Sequence, residues 1–297
     1  MNTMTQPAKD LQDAALGALL GACVGDAAGA TLEFLGRKPG EEDVMKAMKM
    51  LGGGVWRVAP GQITDDGELT LSLAHALCGS PDFSLDPIAR KYADWMQSRP
   101  FDCGTTTSQA FGWTGDSDWQ SLFGTDSFSR AMQKAASVSM GSKANGSLMR
   151  ATPLAIHGHA QDVDELAFRA RQDSSLSHPN PSCGDAVACY VIAIACLLRV
   201  PGDRQQAFAT ARHWADHHAH DEVKSWLDEA QAGVKVPYQP QDGFVRIAFV
   251  HAFRHLLLGT DYVAAIRETL LGGRRYRHQR LYRGGLDWGG LWCRYYS

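Results

Sequence analysis

The chain has 297 residues, 44% of them hydrophobic, which is enough for one large domain with a sizeable core or for two small domains. Its formal net charge is -3, but the last 24 residues hold six of the 29 basic residues and one of the 32 acidic residues, so residues 1–273 carry a net charge of -8. Such an acidic body excludes the broad basic surface that binds nucleic acids or anionic membranes.

The cysteines and the apolar segments indicate the cellular compartment of the protein. The seven cysteines are odd in number and have no C-x-x-C spacing, which is typical of reduced thiols in a cytoplasmic protein. No basic region precedes the first apolar stretch, and Asp26 interrupts that stretch, so we expect no signal peptide. The longest apolar run, residues 186–198, is too short to cross a bilayer. These features predict a cytoplasmic protein without a membrane partner.

Helical periodicity of apolar residues dominates the chain, and no long run alternates as a strand would. Turns rich in glycine and proline separate the periodic segments, but no low-complexity linker or block of charge divides them. The sequence therefore predicts a single all-α domain. The predicted helices cover about 10–30, 67–78, 86–98, 127–138, 146–157, 162–173, 182–199, 203–218, 220–232, 242–258 and 261–271.

The first predicted helix has a glycine at every fourth position, namely Gly17, Gly21, Gly25 and Gly29. Because glycine costs about 1 kcal/mol in a helix relative to alanine, this stripe indicates close contact with a neighbouring helix. Tight packing alone would explain it. One turn beyond the stripe, however, Glu33 places a carboxylate on an otherwise small and apolar segment.

The segment GQITDDGELTLSLAHAL combines several oxygen donors with the start of an apolar helix. Thr64, Asp65 and Asp66 stand where this helix begins, and Glu68 follows one turn later. A single residue of this kind would suffice to cap the helix. Adjacent carboxylates repel one another unless a cation offsets their charge, so the spacing equally fits a site for Mg²⁺. Both interpretations stay open at this stage.

Five segments, taken in order, resemble the ADP-ribosylglycohydrolase family. They are GALLGACVGDAAGATLEF, GQITDDGELTLSLAHAL, FDCGTTTSQAF, GSKANGSLMRATPLAI and SLSHPNPSCGDAVACYVIAIACLL. The resemblance implies a single-domain orthogonal bundle of α-helices with two Mg²⁺ or Mn²⁺ ions. It also implies hydrolysis of the bond between ADP-ribose and an acceptor side chain, often that of arginine.

The same resemblance assigns roles to individual residues. It implies that Thr64, Asp65 and Asp66 supply half of the metal shell. It also places Glu33 beside the metals as a ligand and catalytic carboxylate, and it gives Asp66 a catalytic role. Asp102, Gly104 and Thr106 match a family turn in which asparagine usually stands where this chain has Thr105. The remaining implied substrate contacts are Gly141, Ser142, Lys143, Asn145 and His178.

The residues after Gly273 depart from the family pattern. In the family, a Gly-Gly-Asp-Thr-Asp-Thr motif follows a helix resembling DYVAAIRETLLGG and completes the metal shell. Here Arg274, Arg275 and Tyr276 follow, and such side chains are poor ligands for Mg²⁺. Codons exist for residues 274–289 that encode GDTDTNACIAGGLIG when read one nucleotide later. We therefore predict a domain over 1–273 and an out-of-frame tail over 274–297; the alternative is a basic, aromatic tail that binds a partner.

Together these features predict a metal-dependent hydrolase acting on an ADP-ribosylated protein or a small ADP-ribose derivative, with an arginine-like acceptor favoured. A second interpretation is a non-catalytic ADP-ribose-binding protein, or an inactive remnant, because the second acidic motif is missing. A general metal-dependent phosphohydrolase is a third interpretation and would require phosphate release from simple esters.

Overall fold

In the computed structural model the described residues are 6–78, 82–241 and 243–273. They form fourteen α-helices and one 3₁₀ turn, Ser137–Ser139, and they contain no strand beyond the isolated bridges of Gly53 with Val58 and Ala144 with Phe244. The predicted all-α class is confirmed. The predicted out-of-frame tail, 274–297, lies outside the described residues.

The helices follow one another with short connections. They are α1 Gln6–Ala30, α2 Glu41–Ala47, α3 Asp65–Cys78, α4 Leu85–Gln97, α5 Thr105–Phe111, α6 Trp119–Phe123, α7 Phe128–Ala136, α8 Thr152–His157, α9 Val163–Ser175, α10 Pro181–Arg199, α11 Arg204–His218, α12 Asp221–Gln231, α13 Val245–Leu258 and α14 Tyr262–Gly272.

Helix α10 forms the centre of the core. Its residues from Ser182 to Cys196 are all buried. The side chains of this stretch that carry a charge or a hydroxyl group are those of Ser182, Asp185 and Tyr190. A helix that is apolar on every side requires neighbours on every side. Accordingly α10 packs against α1, α8, α9, α11, α12 and α13.

Two helices contain stretches that are long and apolar enough to cross a membrane, Asp10–Ala30 and Pro181–Arg199. In the second, 89% of the most apolar stretch is buried inside the protein, and in the first 56% is buried. Helix α10, with 19 residues, is longer than the apolar run 186–198 that it contains. Because core helices and signal sequences share this length and composition, the two stretches are weak evidence for a membrane span.

Three short helices, α2, α5 and α6, were not predicted, and α8 is shorter than the predicted 146–157. Helices of seven residues or fewer complete at most two turns, so their apolar periodicity is too short to recognise. Residues 146–150 instead form turns, and α8 begins at Thr152 with Pro153 in its first turn. Proline suits that position because its missing N–H has no intrahelical acceptor there.

The glycine stripe lies on a packed part of α1. Gly21, Gly25 and Gly29 are buried, and α1 packs against α2, α3, α8 and α10. The hydroxyl of Tyr262, at the start of α14, donates a hydrogen bond to the carbonyl oxygen of Gly21 at 2.9 Å. This hydrogen bond joins the glycine stripe of α1 to the start of α14.

The six cysteines of the described residues are free thiols, in agreement with the spacing argument. Cys183, Cys189 and Cys196 are buried in α10. Burial raises the pKa of the Cys183 thiol to about 12, so this thiol stays protonated and unreactive at neutral pH.

Candidate functional site

The carboxylate of Asp26, on α1, caps the start of α3. Its Oδ1 accepts the hydroxyl proton of Thr64 at 2.7 Å, and its Oδ2 accepts the backbone N–H groups of Thr64 and Gly67, both at 2.8 Å. Burial raises the pKa of Asp26 to about 6, although these hydrogen bonds act in the opposite direction. The capping function therefore belongs to Asp26, and it does not explain the two carboxylates of Asp65 and Asp66.

Gly67 makes this cap possible. A Cβ atom at position 67 would lie 2.7 Å from Oδ2 of Asp26 and 2.8 Å from Cβ of Ile63. We expect Gly67→Ala to lower the free energy of unfolding by about 1–3 kcal/mol, because the core must shift to admit the methyl group. Urea denaturation measures this change.

Gly115→Ala is the matched control, because a Cβ at position 115 would have no neighbouring atom within 4 Å. It should leave the unfolding curve almost unchanged. Equal unfolding midpoints for the two alanine variants would show that the cap tolerates the methyl group.

Asp65 and Asp102 form the centre of a buried carboxylate cluster. Oδ2 of Asp65 accepts the backbone N–H of Gly104 at 3.3 Å, which joins the start of α3 to the turn before α5. Oδ1 of Asp65 is buried and accepts no hydrogen bond from the described residues. Burial, followed by the charges of Asp102 and Asp26, raises the pKa of Asp65 to about 7. The cluster thus concentrates negative charge in a space with little water.

Glu33 reaches the same cluster from the segment after α1. The indole N–H of Trp56 donates to Oε2 of Glu33 at 3.2 Å. Trp56 contacts Phe34 and Phe101 edge-on, with ring centroids 5.6 Å and 6.0 Å away. Burial and then the charges of Asp102, Asp65 and Asp26 hold the pKa of Glu33 well above its usual value. The predicted proximity of Glu33 to the start of α3 is therefore present.

Asp66 and Glu68, the other acidic residues in the first turn of α3, lie in different environments. Asp66 is buried at the start of α3, next to Asp65. Glu68 instead accepts the indole N–H of Trp95, on α4, at 2.7 Å. This hydrogen bond joins α3 to α4, and the charge of Glu68 also contributes to the raised pKa of Asp26.

The chemistry of these donors suits a hard divalent cation on one side of the cluster. Carboxylate and hydroxyl oxygens are the ligands that Mg²⁺ and Mn²⁺ prefer, and Oδ1 of Asp65 is a buried acceptor without a protein donor among the described residues. No group of three histidine, cysteine, aspartate or glutamate side chains within 6–78, 82–241 and 243–273 is arranged to hold a metal ion. The described residues would therefore supply only part of a ligand set for such an ion.

The end of α14 lies beside the segment that carries Glu33. A Cβ atom at Gly273 would lie 3.5 Å from Cγ of Pro39. Gly273 thus lies next to the loop that follows Glu33.

The predicted substrate loop, residues 141–145, is held between α5 and α13. The hydroxyl groups of Ser142 and Thr106 are 2.9 Å apart. The backbone N–H of Asn145 donates to the carbonyl of Gly243 at 3.0 Å, and Ala144 forms an isolated bridge with Phe244. Gly141 has open space where a Cβ would stand. These contacts hold one side of the loop, and Gly141 has room for a ligand to approach.

Lys143 turns towards α12, where its Nζ forms an ion pair with Glu222 at 2.8 Å. Glu222 also accepts a hydrogen bond from Ser182, at the start of α10. This ion pair places the positive charge of Lys143 at the edge of the loop, beside the negative charge of Glu222.

Thr105, where the family usually has asparagine, is the exposed first residue of α5. Gly104 precedes it in an extended conformation and donates to Asp65. Thr106, one residue later, faces the substrate loop. The turn 102–106 therefore touches both the carboxylate cluster and the loop.

Sequence reasoning missed Arg150, whose side chain is fully buried. Its Nε donates to the hydroxyl of Tyr92 at 2.9 Å and to Oδ2 of Asp173 at 3.3 Å. Its Nη1 donates to the carbonyl of Gly146 at 2.9 Å and to Oγ of Ser177 at 2.8 Å. One guanidinium thus joins Gly146, which directly follows the substrate loop, to the segment that carries the predicted ligand contact His178.

His178 is almost completely buried between α9 and α10. Its Nδ1 is 2.8 Å from Oγ of Ser177. Burial and the nearby charge of Arg150 lower its pKa to about 3, so the imidazole is neutral at physiological pH. A cavity of about 330 Å³ opens beside it, lined also by Arg171, Asp185 and the start of α10.

Comparison with known proteins places these features in a family context. The family model described as ADP-ribosylglycohydrolase matches residues 7–276. The chain is 36% identical over 180 residues to the ADP-ribosyl-[dinitrogen reductase] glycohydrolase of Rhodospirillum rubrum, covering 60% of this chain and 55% of the relative. It is 30% identical over 210 residues to the ADP-ribosylarginine hydrolase Tri1 of Pseudomonas putida, covering 67% of this chain and 50% of that protein. The chain thus spans about half the length of these curated relatives.

A solved structure shares the fold. It is a chain of a structure described as an ADP-ribosylglycohydrolase-related protein complex. The two chains superpose with a TM-score of 0.70 at 23% identity, and the match covers 95% of this chain and 85% of that chain. At that identity the likeness concerns the arrangement of helices alone.

Proposed function

The chain belongs to the ADP-ribosylglycohydrolase family, and from this premise we propose that it hydrolyses the glycosidic bond between ADP-ribose and a protein side chain. An arginine-linked substrate is favoured, because one relative is named for ADP-ribosylarginine. A small ADP-ribose derivative is the other substrate class that fits. The free thiols of the described cysteines support a cytoplasmic location.

The observation that carries the proposal is the meeting of Glu33, Asp65 and Asp102 in one buried cluster. These carboxylates come from three separate segments. The charges of Asp102 and Asp65 raise the pKa of Glu33, and the charge of Asp102 raises the pKa of Asp65. Carboxyl groups of perturbed pKa in a confined site are typical of glycoside hydrolysis. The loop 141–145 and His178 would hold the ADP-ribose beside this cluster.

Thr64, Asp65 and Asp66 would hold Mg²⁺ or Mn²⁺ on their side of the cluster, and two ions are expected in a complete site. A bound divalent ion supplies positive charge that offsets these carboxylates and polarises the ribose oxygens and water. Because residues 1–273 are acidic overall, such local positive charge would also attract the diphosphate of the substrate.

The side chains can manage the protons of the reaction. Burial and neighbouring charges raise the pKa of Glu33 well above its usual value, which favours its protonated form. In the proposed step, the bond between C1 of the ribose and the acceptor nitrogen breaks, and that nitrogen takes the proton of Glu33. The oxygen of water bonds to C1, and the proton that this water loses passes to the neighbouring carboxylate of Asp66.

An alternative function is non-catalytic binding of ADP-ribose. It is favoured by the incomplete ligand set of the described residues and by the basic and aromatic residues that follow Gly273. An inactive remnant would keep the fold, the loop 141–145 and His178, and it would bind ADP-ribose without needing metal.

A release assay tests the proposed function. The full chain is incubated with an ADP-ribosylarginine peptide with and without Mg²⁺, and free ADP-ribose is measured. We expect Mg²⁺-dependent release, and we expect Glu33→Gln and Asp65→Asn each to lower it about 100-fold or more, since the first removes the proton donor and the second a metal ligand.

Asp43→Asn is the matched control, because Asp43 is a carboxylate on α2 that pairs with Arg37 on the surface. It should release ADP-ribose at the unmodified rate. Binding of ADP-ribose by calorimetry without any release, in the presence or absence of Mg²⁺, would favour the binding protein instead.

We further propose that residues 274–297 are translated out of frame, as the codon argument suggests. Sequencing the coding DNA across codon 273 tests this directly. Codons that do not yield GDTDTNACIAGGLIG in the neighbouring frame would rule the proposal out.

A further inference from the structure

Asp26 makes one more hydrogen bond at the start of α3 than a helix cap requires. Its Oδ2 accepts two backbone N–H groups, those of Thr64 and Gly67, each at 2.8 Å. Its Oδ1 instead accepts the hydroxyl proton of Thr64 at 2.7 Å. One acceptor oxygen satisfies the backbone N–H groups that lack a partner in the first turn, so the second oxygen of Asp26 serves the side chain of Thr64.

The bond between Oδ1 of Asp26 and the hydroxyl group of Thr64 fixes the direction of the hydroxyl proton. A hydroxyl group has one proton and two acceptor lone pairs, whereas an ionised carboxylate has acceptors only. The single proton of Thr64 is therefore directed at Asp26, which leaves the lone pairs of Oγ1 for other partners. Oγ1 accepts no hydrogen bond from the part of the chain that the structure describes, although Thr64 is fully buried.

We propose that Asp26 is a positioning residue for the divalent cation of the proposed site, and that it acts by holding the hydroxyl proton of Thr64 so that the lone pairs of Oγ1 stay available to the cation. An anionic acceptor also increases the electron density on the hydroxyl oxygen, which makes this oxygen a better ligand. The inference rests on the proposed function for the presence of the cation. The hydrogen bond belongs to the protein without metal.

Asparagine at position 26 would reverse this hydrogen bond. The backbone N–H groups of Thr64 and Gly67 can only donate, so they would hold the amide oxygen at the place of Oδ2. The amide nitrogen would then stand at the place of Oδ1 and donate to Oγ1 of Thr64. One lone pair of Oγ1 would be used by the amide, and the hydroxyl proton would lose its acceptor. Asp26→Asn thus keeps the cap, reverses the bond to Thr64 and removes one negative charge.

The charge of Asp26 would also attract a cation directly, without the hydroxyl group of Thr64. This charge acts through space within the cluster, because it contributes to the raised pKa values of Glu33 and Asp65. Replacing Thr64 with valine, which has nearly the same shape but no hydroxyl, distinguishes the two routes. A direct effect of the charge persists in the valine background, whereas an effect transmitted by the hydroxyl disappears.

A double-mutant cycle in Mn²⁺ affinity tests the proposal. The unmodified full chain, Asp26→Asn, Thr64→Val and the double variant are each titrated with Mn²⁺ alone, and the free ion is measured by electron paramagnetic resonance. We expect Asp26→Asn to weaken Mn²⁺ binding about tenfold or more in the presence of Thr64, and less than about threefold in the Thr64→Val background. In the Thr64→Ser background, which keeps a hydroxyl group, Asp26→Asn should retain its full effect.

Asp203→Asn is the matched control, because Asp203 is also a capping carboxylate and accepts the backbone N–H of Gln206 at the start of α11 at 2.9 Å. This variant should bind Mn²⁺ as tightly as the unmodified chain. Circular dichroism and thermal unfolding identify any variant that fails to fold. If Thr64→Val does so, Thr64→Ala replaces it in the cycle, since alanine also lacks the hydroxyl group.

The outcomes separate the inference from the proposed function. Absence of Mn²⁺ binding by the unmodified chain would reject the metal site of the proposed function and the inference with it. Mn²⁺ binding that Asp26→Asn weakens equally with and without the hydroxyl of Thr64 would reject the inference alone, because the charge would then act directly. Unchanged Mn²⁺ affinity of the folded Asp26→Asn variant would likewise reject the inference alone.

Discussion

Restoring the reading frame after Gly273 is expected to raise Mg²⁺-dependent release of ADP-ribose by about 100-fold or more, because the restored segment would supply the carboxylates that the proposed metal site lacks. The physical basis is the position of Gly273, which lies against Pro39 beside the loop that carries Glu33. The measurement compares the chain as given with a version in which GDTDTNACIAGGLIG follows Gly273, under identical metal concentrations.

The control for this comparison keeps the restored segment and replaces its two aspartates with asparagine. That version should release ADP-ribose as slowly as the chain as given, since it restores the helix-forming residues without the anionic ligands. Metal affinity from calorimetry should follow the same order. Comparable activity of all three chains would mean that residues 1–273 suffice for the reaction and that the segment after Gly273 plays no part in the metal site.

The sequence was sufficient to predict most of the helical framework. Helix α10 could be predicted because its long apolar sequence can be accommodated only in a core. Helices α2 and α6, with seven and five residues, were missed because so few turns leave no readable period. The start of α8 was placed too early because the apolar pattern from 146 onward is equally compatible with the buried turns that surround Gly146.

The candidate site could be predicted only where residues are adjacent or where a family resemblance supplied the pairing. The association of Glu33 with Asp65 came from the resemblance, and the burial they share agrees with it. The role of Asp26 depends on hydrogen bonds to residues 38 and 41 positions away, which no local pattern encodes. The carboxylate of Asp26, within the otherwise apolar stretch 14–30 of α1, was the available signal, and burying such a group without partners would be costly.

Arg150 presents the same difficulty, because its partners Tyr92 and Asp173 lie 58 and 23 positions away. We expect Arg150→Met to lower the free energy of unfolding by about 3–5 kcal/mol, since it leaves the carboxylate of Asp173 buried without its cation. The change also removes the donor to Gly146 and so should loosen the substrate loop. Urea denaturation measures the loss of stability, and calorimetry with ADP-ribose measures the effect on the loop.

A second substitution tests whether the buried charge is the cause. Asp173→Asn in the Arg150→Met background should cost less than the sum of the two single changes, because the uncompensated carboxylate is then absent. Lys46→Ala is the surface control, since Lys46 and Glu42 form an ion pair with side chains 70% and 77% exposed and should contribute almost nothing measurable. Additive effects at positions 150 and 173 would instead mean that the guanidinium stabilises the fold through its contacts with Gly146 and Ser177 and not through the ion pair.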